Sequence, residues 1–151
     1  MLRPTPQETD ALVAEITTAG GQASAVRMDV ADLGSVREGI QAAGAITTCI
    51  NNAGVAVTRR ALDQTEADYD FVMDTNLKGA WNVATEAAKV MRDAGGGNII
   101  NTASITGFQT AAGTGPYAMS KAGVLHMTRQ LAMELARFNI RVNAIAPGYF
   151  L

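Results

Sequence analysis

A chain of 151 residues, 48% of them hydrophobic, is long enough to form one globular domain around its own core. Its 12 Lys and Arg residues against 14 Asp and Glu residues leave a net charge of -2 without a long run of either sign, which argues against binding to nucleic acid or to an anionic membrane. No apolar segment approaches the roughly 18 residues of a membrane-spanning helix, and the single cysteine, Cys49, excludes an internal disulfide, so we expect a soluble, cytoplasmic protein.

Capping residues predict the first two helices. The stretch Thr5–Glu8 combines a capping box with Pro at the first helical position, so a helix should run from there to about Ala19, where two glycines stop it. Asp32 is a suitable N-cap for a second helix, and Gly44 is a suitable residue to end it.

Two strands are predicted next to these helices. Residues 23–28 read as a short strand that leads to Asp29 and Val30, and residues 46–50 form a continuous apolar and β-branched run typical of a buried parallel strand. Asp29 taken by itself is best explained as a turn residue.

The turn Asn51-Asn52-Ala53-Gly54 follows the second of these strands directly. Its small residues allow a ligand to approach the backbone closely, and its amides can tie neighbouring strand ends together. Elsewhere in a sequence the same four residues would more often form only a turn. In this place we predict that they face a ligand.

The middle of the chain should be helical. Thr65 can cap a helix, and from Asn76 to Met91 apolar residues recur at helical spacing: Leu77, Ala80, Trp81, Ala84, Ala87, Ala88 and Met91. This stripe predicts a core or subunit interface. Asn76 taken alone would be a surface residue or the site of a bend.

Two more strands and one long helix complete the pattern. Residues 98–103 predict a strand that delivers Ser104, Pro116 begins a helix that runs to about Arg137, and residues 140–145 predict a strand that ends at Pro147-Gly148. His126, the only histidine, lies in this helix and is interpreted as structural or interfacial.

Tyr117 and Lys121 lie four residues apart in the long helix, so their side chains leave one face. An ammonium group at that distance favours the phenolate form of a tyrosine, which could then exchange a proton with a substrate oxygen. Ser104 could donate a hydrogen bond to the same oxygen. The alternative for the pair alone is a half-buried ring beside a lysine that extends to water.

Alternating strands and helices imply a three-layer α/β/α fold around a parallel sheet. Ligands of such sheets bind at the carboxyl ends of the strands, which is where Asp29, Asn52, Ser104 and Pro147 all fall. This coincidence supports one shared site.

The ordered motifs resemble those of the short-chain dehydrogenases/reductases over nearly all of residues 1–151. The matching residues are Asp29-Val30, Asn51-Asn52-Ala53-Gly54, Asn76, Ser104, Tyr117-x-x-x-Lys121 and Pro147-Gly148, with Ser104 thirteen residues before Tyr117. The resemblance implies a Rossmann-like doubly wound sheet. Within the family the nearest likeness is to 3-oxoacyl-acyl-carrier-protein reductases and sugar-alcohol dehydrogenases.

The resemblance also implies roles for individual residues. Tyr117 would be the general acid and base, Lys121 would assist it and bind the nicotinamide ribose, Ser104 would position the substrate oxygen, and Asn76 would support a proton path. NAD or NADP would contact Asp29, Val30, Asn52, Ala53, Gly54, Pro147, Gly148 and Phe150, besides Tyr117 and Lys121. No metal site is predicted. The helices of Trp81 and Leu125 would pair subunits into a homodimer or homotetramer.

The sequence lacks the glycine-rich turn that holds the pyrophosphate of a dinucleotide. The resemblance implies that residues 1–151 form a single partial domain without the first βαβ unit and the last strand. In a doubly wound sheet the two missing strands would lie between residues 23–28 and residues 46–50. We expect the strands on either side of that gap to pair directly.

Two functions fit these features. The first is an NAD(P)-dependent oxidoreductase that transfers hydride between the cofactor and a small-molecule secondary alcohol or ketone, with the preference between NAD and NADP left open. The second is a non-catalytic fragment that cannot bind the dinucleotide because the glycine-rich turn is absent.

Overall fold

The computed structural model of the chain describes residues 5–149. Its main elements in chain order are α1 (Pro6–Thr18), α2 (Leu33–Ala43), β1 (Thr48–Asn51), α3 (Glu66–Met73), α4 (Gly79–Asp93), β2 (Gly97–Thr102), α5 (Gly115–Leu135) and β3 (Ile140–Ile145). Short 3₁₀ turns lie at Ala61–Asp63, Ile105–Gly107 and Ala136–Phe138, and a π-helical turn at Asp74–Lys78 joins α3 to α4. Among residues 5–149, no helix is both long and apolar enough to cross a bilayer.

The three strands form one parallel sheet in the order β1-β2-β3. Parallel pairing confirms the predicted α/β class, and it requires a crossover helix between successive strands. β1 is therefore one edge of the sheet and β3 the other. Because all three strands run in the same direction, their carboxyl ends meet at one side of the molecule.

The core lies between one face of the sheet and the helices α4 and α5. Ile99 and Val142 from the strands pack with Met91 of α4 and Leu131 of α5 in one buried cluster. The predicted stripe on α4 therefore faces the core, except that Trp81 is exposed. On the opposite face of the sheet, Ile50 and Ile145 are 67% and 53% exposed.

Helix α1 forms as predicted but packs on little else. The side chain of Thr5 accepts from the backbone of Glu8, whose carboxylate accepts in return from the backbone of Thr5, so the capping box is complete. Nevertheless α1 has no buried residue.

The strand predicted over residues 23–28 is wrong, because those residues have no strand structure among the described part of the chain. They also do not pair with β1, so the predicted direct pairing across the gap is wrong as well. A strand is stabilised by its hydrogen-bonded neighbour, and this segment has none. Instead Met28 lies against Gly39 of α2, where an added Cβ would be 2.8 Å from the methionine sulfur.

Two boundaries shift in ways that matter for the site. β1 extends to Asn51, so this residue is in the sheet rather than in the turn. The helix predicted from Asn76 instead contains the π-helical turn, with Asn76 buried at its centre. Such turns place one extra residue in a helix and often occur at functional sites.

Candidate active site

Lys121 is the most deeply buried charged residue of the described chain, with 4% of its surface exposed. Its Nζ donates a hydrogen bond of 2.7 Å to the carbonyl oxygen of Thr102, the last residue of β2. Burial lowers the pKa of this ammonium group below its ordinary value of 10.5. The same Nζ lies 5.7 Å from the centroid of the Tyr117 ring, so the predicted pairing along one helix face is present.

Asn76 is held rigidly next to this pair. Its Oδ1 accepts from the backbone nitrogen of Val55 at 2.7 Å, and its Nδ2 donates to the Val55 carbonyl at 2.8 Å and to Ser120 Oγ at 3.1 Å. Ser120 Oγ in turn donates to the Tyr117 carbonyl at 2.7 Å. The side chain of Asn76 thus ties the turn after β1 to helix α5.

Ser104 follows β2 as predicted, and it is buried. Its Oγ accepts from both the backbone nitrogen and the hydroxyl of Thr106, at 3.2 and 3.0 Å. The next residue, Ile105, donates its backbone N–H to the carbonyl of Pro147 at 3.1 Å. This contact fixes the turn after β3 beside the end of β2.

A cleft of about 300 Å³ opens at the carboxyl ends of the strands. Its lining brings together Ser104, Tyr117 and Gly148, which are far apart in sequence, with Ala56, Val57, Thr58, Ile105, Thr106, Thr114 and Tyr149. The predicted contact Phe150 lies outside the described residues.

The turn after β1 borders the buried lysine. Asn52 and Ala53 are exposed, and Gly54 is so close to the site that an added Cβ would lie 3.4 Å from Asn76 Oδ1 and 3.5 Å from Lys121 Nζ. Gly54 leaves the backbone uncovered beside a buried cation, which suits the nicotinamide and ribose end of a dinucleotide. The residues present therefore fit that end of the cofactor.

In this structure Asp29 stabilises a turn, and Val30 packs against helix α4. The carboxylate of Asp29 accepts from the backbone nitrogen of Ala31 at 3.0 Å, which is the turn geometry that its sequence context favours. Val30 is buried, its carbonyl accepts from Asn82 Nδ2 at 3.1 Å, and its side chain occupies the space above Gly79. Asp29 itself is exposed and open to a ligand.

A buried polar network lies beneath the site, in which Asn51 ties the end of β1 to β2 as expected of the amides at the turn after β1, whereas the part played by Asn101 was not predicted. Asn51 Nδ2 donates to the Ala80 carbonyl at 2.7 Å and to Asn101 Oδ1 at 3.2 Å, and Asn101 Nδ2 donates to Thr128 Oγ1 at 3.0 Å. Asn51 and Asn101 are register partners on β1 and β2. An asparagine near the end of each of two apolar strands was the available signal, because buried amides need partners.

The exposed side of α4 and α5 carries a shallow apolar pocket of about 180 Å³. Trp81 contributes to it together with Leu131, Leu135 and Phe138. Leu125 lies instead against Gly107, where an added Cβ would approach its Cδ1 at 2.8 Å. His126 is exposed on the same long helix, so it is not a core residue.

The sequence model of the family described as short chain dehydrogenase matches residues 1–151. The chain belongs to this family. It is 40% identical over 147 residues to the oxidoreductase UcpA of Salmonella typhimurium, covering 94% of this chain and 56% of the relative. It is 37% identical over 147 residues to the 3-oxoacyl-[acyl-carrier-protein] reductase FabG of Thermotoga maritima, covering 95% of this chain and 60% of FabG.

Solved structures of short-chain dehydrogenases show the same fold. A putative short-chain alcohol dehydrogenase of Sinorhizobium meliloti 1021 superposes with a TM-score of 0.93 at 41% identity, over 98% of this chain and 60% of that chain. A gluconate 5-dehydrogenase of Burkholderia cenocepacia in complex with NADP and tartrate superposes with a TM-score of 0.92 at 31% identity, over 99% of this chain and 60% of that chain. An NAD⁺-bound xylitol dehydrogenase superposes with a TM-score of 0.91 at 29% identity, over 96% of this chain and 58% of that chain.

These comparisons confirm the predicted family, its Rossmann-like fold and the likeness to 3-oxoacyl-acyl-carrier-protein reductases and sugar-alcohol dehydrogenases. The chain spans about 60% of the length of the relatives it matches.

Proposed function

We propose that this chain carries the catalytic half of an NAD(P)-dependent oxidoreductase that interconverts a secondary alcohol and a ketone. The observation that supports this proposal most strongly is the buried ammonium group of Lys121, 5.7 Å from the ring of Tyr117, which lines the same cleft as Ser104. Burying a charged group costs free energy, so a buried lysine beside a cleft is a candidate functional residue.

Each residue then has a defined task. The Tyr117 hydroxyl gives a proton to the substrate oxygen in reduction and takes it back in oxidation. The positive charge of Lys121 stabilises the phenolate that forms, and the Ser104 hydroxyl donates to the same substrate oxygen. Asn76 keeps the turn after β1 next to Lys121 through its bonds to Val55. When bound, the nicotinamide supplies or accepts the hydride.

The cofactor is NAD or NADP, since one solved relative binds each. Asn52, Ala53, Gly54, Pro147 and Gly148 would border its nicotinamide half, with Asp29 and the backbone of Val30 nearer the adenine. The apolar pocket beside Trp81 supports pairing of α4 and α5 between two subunits, which is how we expect a homodimer to form.

A second function is association without turnover. It is supported by the exposed apolar residues on the uncovered sheet face, such as Ile50 and Ile145. Under this alternative the Tyr117 site is present but never receives a dinucleotide.

Reduction of a simple ketone by NADH or NADPH tests the first function against the second. We expect Tyr117→Phe to lower kcat/KM by about 10² to 10⁴, because a proton donor is removed without a change in shape. Tyr69→Phe is the matched control, since Tyr69 is exposed on α3. Equal rates in both variants would contradict the assigned role of Tyr117, and a folded wild-type chain without turnover would favour the alternative.

A further inference from the structure

The short 3₁₀ turn after β2 holds the hydroxyl group of Ser104 from one side. Ser104 is the N-cap of the turn Ile105–Gly107, and its Oγ accepts from the backbone N–H of Thr106 at 3.2 Å. The hydroxyl group of Thr106 lies 3.0 Å from the same Oγ. Ser104 and Thr106 both line the cleft that Tyr117 also lines. Thr106 thus contacts, through two of its groups, the hydroxyl group that meets the substrate oxygen.

Two contacts fix this turn relative to the rest of the site. The backbone N–H of Ile105 donates to the carbonyl of Pro147 at 3.1 Å. Gly107 lies directly against α5, because an added Cβ would be 3.0 Å from the backbone carbonyl carbon of Lys121. Thr106 stands between these two anchored residues, so its hydroxyl group has a fixed place beside the cleft.

The hydrogen-bonding capacity of a hydroxyl group limits how Ser104 and Thr106 can be arranged. A hydroxyl group has one proton to donate and two lone pairs that accept. The backbone N–H of Thr106 can only donate, so it occupies one lone pair of Ser104 in every arrangement. When the Thr106 hydroxyl donates as well, both lone pairs are filled and the serine proton points away from the turn. Hydrogen bonds accepted by a hydroxyl group polarise it and make it a stronger donor.

A ketone substrate favours this arrangement over the reverse one. In the reverse arrangement the proton of Ser104 points at Thr106 and is not free for a ligand. The carbonyl oxygen of a ketone only accepts, so it binds Ser104 when Thr106 is the donor of the pair. The hydrogen bond from Thr106 and the hydrogen bond to the substrate oxygen therefore strengthen each other.

We propose that Thr106 is a positioning residue, which orients the Ser104 hydroxyl as the donor to the substrate oxygen and strengthens that hydrogen bond. The proposal rests on the proposed oxidoreductase function for the role of Ser104, and on the two contacts from Thr106 for the orientation. Thr106 acts on the substrate only through Ser104.

Thr106→Val removes the hydroxyl group and keeps the shape and the backbone N–H. We expect kcat/KM for the reduction of acetophenone by NADH or NADPH to fall about threefold to tenfold, the effect of one hydrogen bond. Thr106→Ser keeps the hydroxyl group and should retain the wild-type value. Thr110→Val is the matched control, since Thr110 is exposed in the following loop and does not line the cleft.

The infrared carbonyl band of a bound ketone reports the same hydrogen bond without turnover. Acetophenone labelled at its carbonyl carbon is bound to the 151-residue chain and to its variants. A donated hydrogen bond lowers the frequency of the band, so it should be lower in the wild type than in Ser104→Ala. Thr106→Val should lose part of this shift, whereas Thr106→Ser and Thr110→Val should keep all of it. In the Ser104→Ala background, Thr106→Val should have no further effect on the band.

The same band and the same rate in the wild type and Thr106→Val would overturn the proposal. An effect of Thr106→Val that persists in the Ser104→Ala background would also overturn it, because Thr106 would then be a donor to the ligand itself. A loss in Thr106→Ser as large as in Thr106→Val would assign the effect to packing and overturn the proposal, as would the absence of a bound band in the wild type.

The proposal and the proposed function fail in different ways. A band shift that depends on Thr106, without turnover by the folded chain, would contradict the oxidoreductase function and uphold the orientation of Ser104. Turnover that requires Tyr117 but is the same in Thr106→Val would uphold the function and overturn the role of Thr106.

Discussion

Lys121 carries its ammonium group into a position almost free of water, where one backbone carbonyl is its hydrogen-bond partner. Such burial disfavours the charged form, which is why the pKa of this lysine lies below that of an exposed lysine. The unfolded chain holds the proton more tightly than the folded chain does. Lys121 therefore costs stability near neutral pH, and that cost falls as the pH rises from the lowered pKa of the folded state to 10.5.

Replacement of Lys121 by methionine should remove this pH dependence. We expect Lys121→Met to leave the free energy of unfolding at pH 7 unchanged or about 1 kcal/mol higher, because the lost hydrogen bond is offset by the removed desolvation cost. Urea unfolding at pH values from 7 to 10.5 measures the free energy of unfolding of both proteins. The stability advantage of the variant should shrink as the pH rises.

Cys49 must be replaced by alanine in both proteins of that comparison. Burial raises the pKa of its thiol above 9.0, so its contribution to stability is lost as the pH rises above that value, opposite to the trend of Lys121. A constant difference between the two proteins across the range would show that Lys121 does not titrate differently in the folded state.

Asn76 should matter for stability as well as for chemistry. Asn76→Ala would leave the partly buried backbone of Val55 without its two Asn76 partners and would empty a buried site, so we expect a loss of about 2 to 4 kcal/mol in the free energy of unfolding. Asn143→Ala, at an exposed position on β3, is the control and should change stability by less than about 0.5 kcal/mol. Similar losses of stability in both variants would contradict the importance of the hydrogen bonds between Asn76 and Val55.

At the scale of elements, the helices are held to the sheet by small residues and buried amides. Gly79 at the start of α4 lets Val30 approach so closely that an added Cβ would lie 2.6 Å from its Cγ2. Asn82, one turn later on α4, donates to the Val30 carbonyl. These two contacts fix the segment before α2 against α4, and the segment carries Asp29.

Two glycines at helix starts should respond oppositely to alanine. Gly79→Ala should destabilise the chain by about 1 to 3 kcal/mol, because its Cβ has no room beside Val30. Gly115→Ala should stabilise it by about 0.4 to 1 kcal/mol, because nothing lies within 4 Å of the added Cβ at the start of α5 and alanine reduces the freedom of the unfolded chain. Thermal unfolding of the two variants measures the difference. Shifts of both Tm values in the same direction would contradict the packing described for Gly79 and Gly115.

The elements also show what a sequence can predict. The caps Thr5, Asp32 and Thr65 were predicted correctly, because a cap depends on residues within one turn of itself. The strand over residues 23–28 was wrong, because a strand depends on a neighbour that its own residues do not specify. The π-helical turn around Asn76 was missed for a similar reason, since it depends on contacts with Val55 and Ser120 from distant parts of the chain.

At the scale of the whole molecule, helix α1 packs on little of the remaining structure. It has no buried residue, and an isolated helix of 13 residues is only marginally stable in water. Its backbone amides should therefore exchange with solvent far faster than those of α5, which is anchored in the core by Val124 and Leu131.

Deletion of residues 1–20 tests this picture. We expect the free energy of unfolding to change by less than about 0.5 kcal/mol, since α1 has no buried residue. Thr65→Ala, which removes the cap of the packed helix α3, should cost about 1 kcal/mol and serves as the positive control. A larger loss from the deletion than from the cap would mean that α1 packs on the domain in solution.

The site as a whole was predictable where residue types and spacing suffice. Ser104 was placed at a strand end and Tyr117 on one helix face with Lys121, the resemblance added Gly148, and the structure brings Ser104, Tyr117 and Gly148 to one cleft. Thr106, Thr114 and Tyr149 also line that cleft and were missed, because loop residues have no periodicity that reveals the direction of their side chains.

The most direct test of the proposed function is a fluorescence titration of the folded 151-residue chain with NADH and with NADPH. We predict saturable binding of at least one of them with a Kd at or below about 1 mM, equivalent to about -4 kcal/mol, and weaker binding by Lys121→Met. No saturation by a chain that circular dichroism shows to be folded would contradict the account, and would mean that these residues do not form a nicotinamide site by themselves.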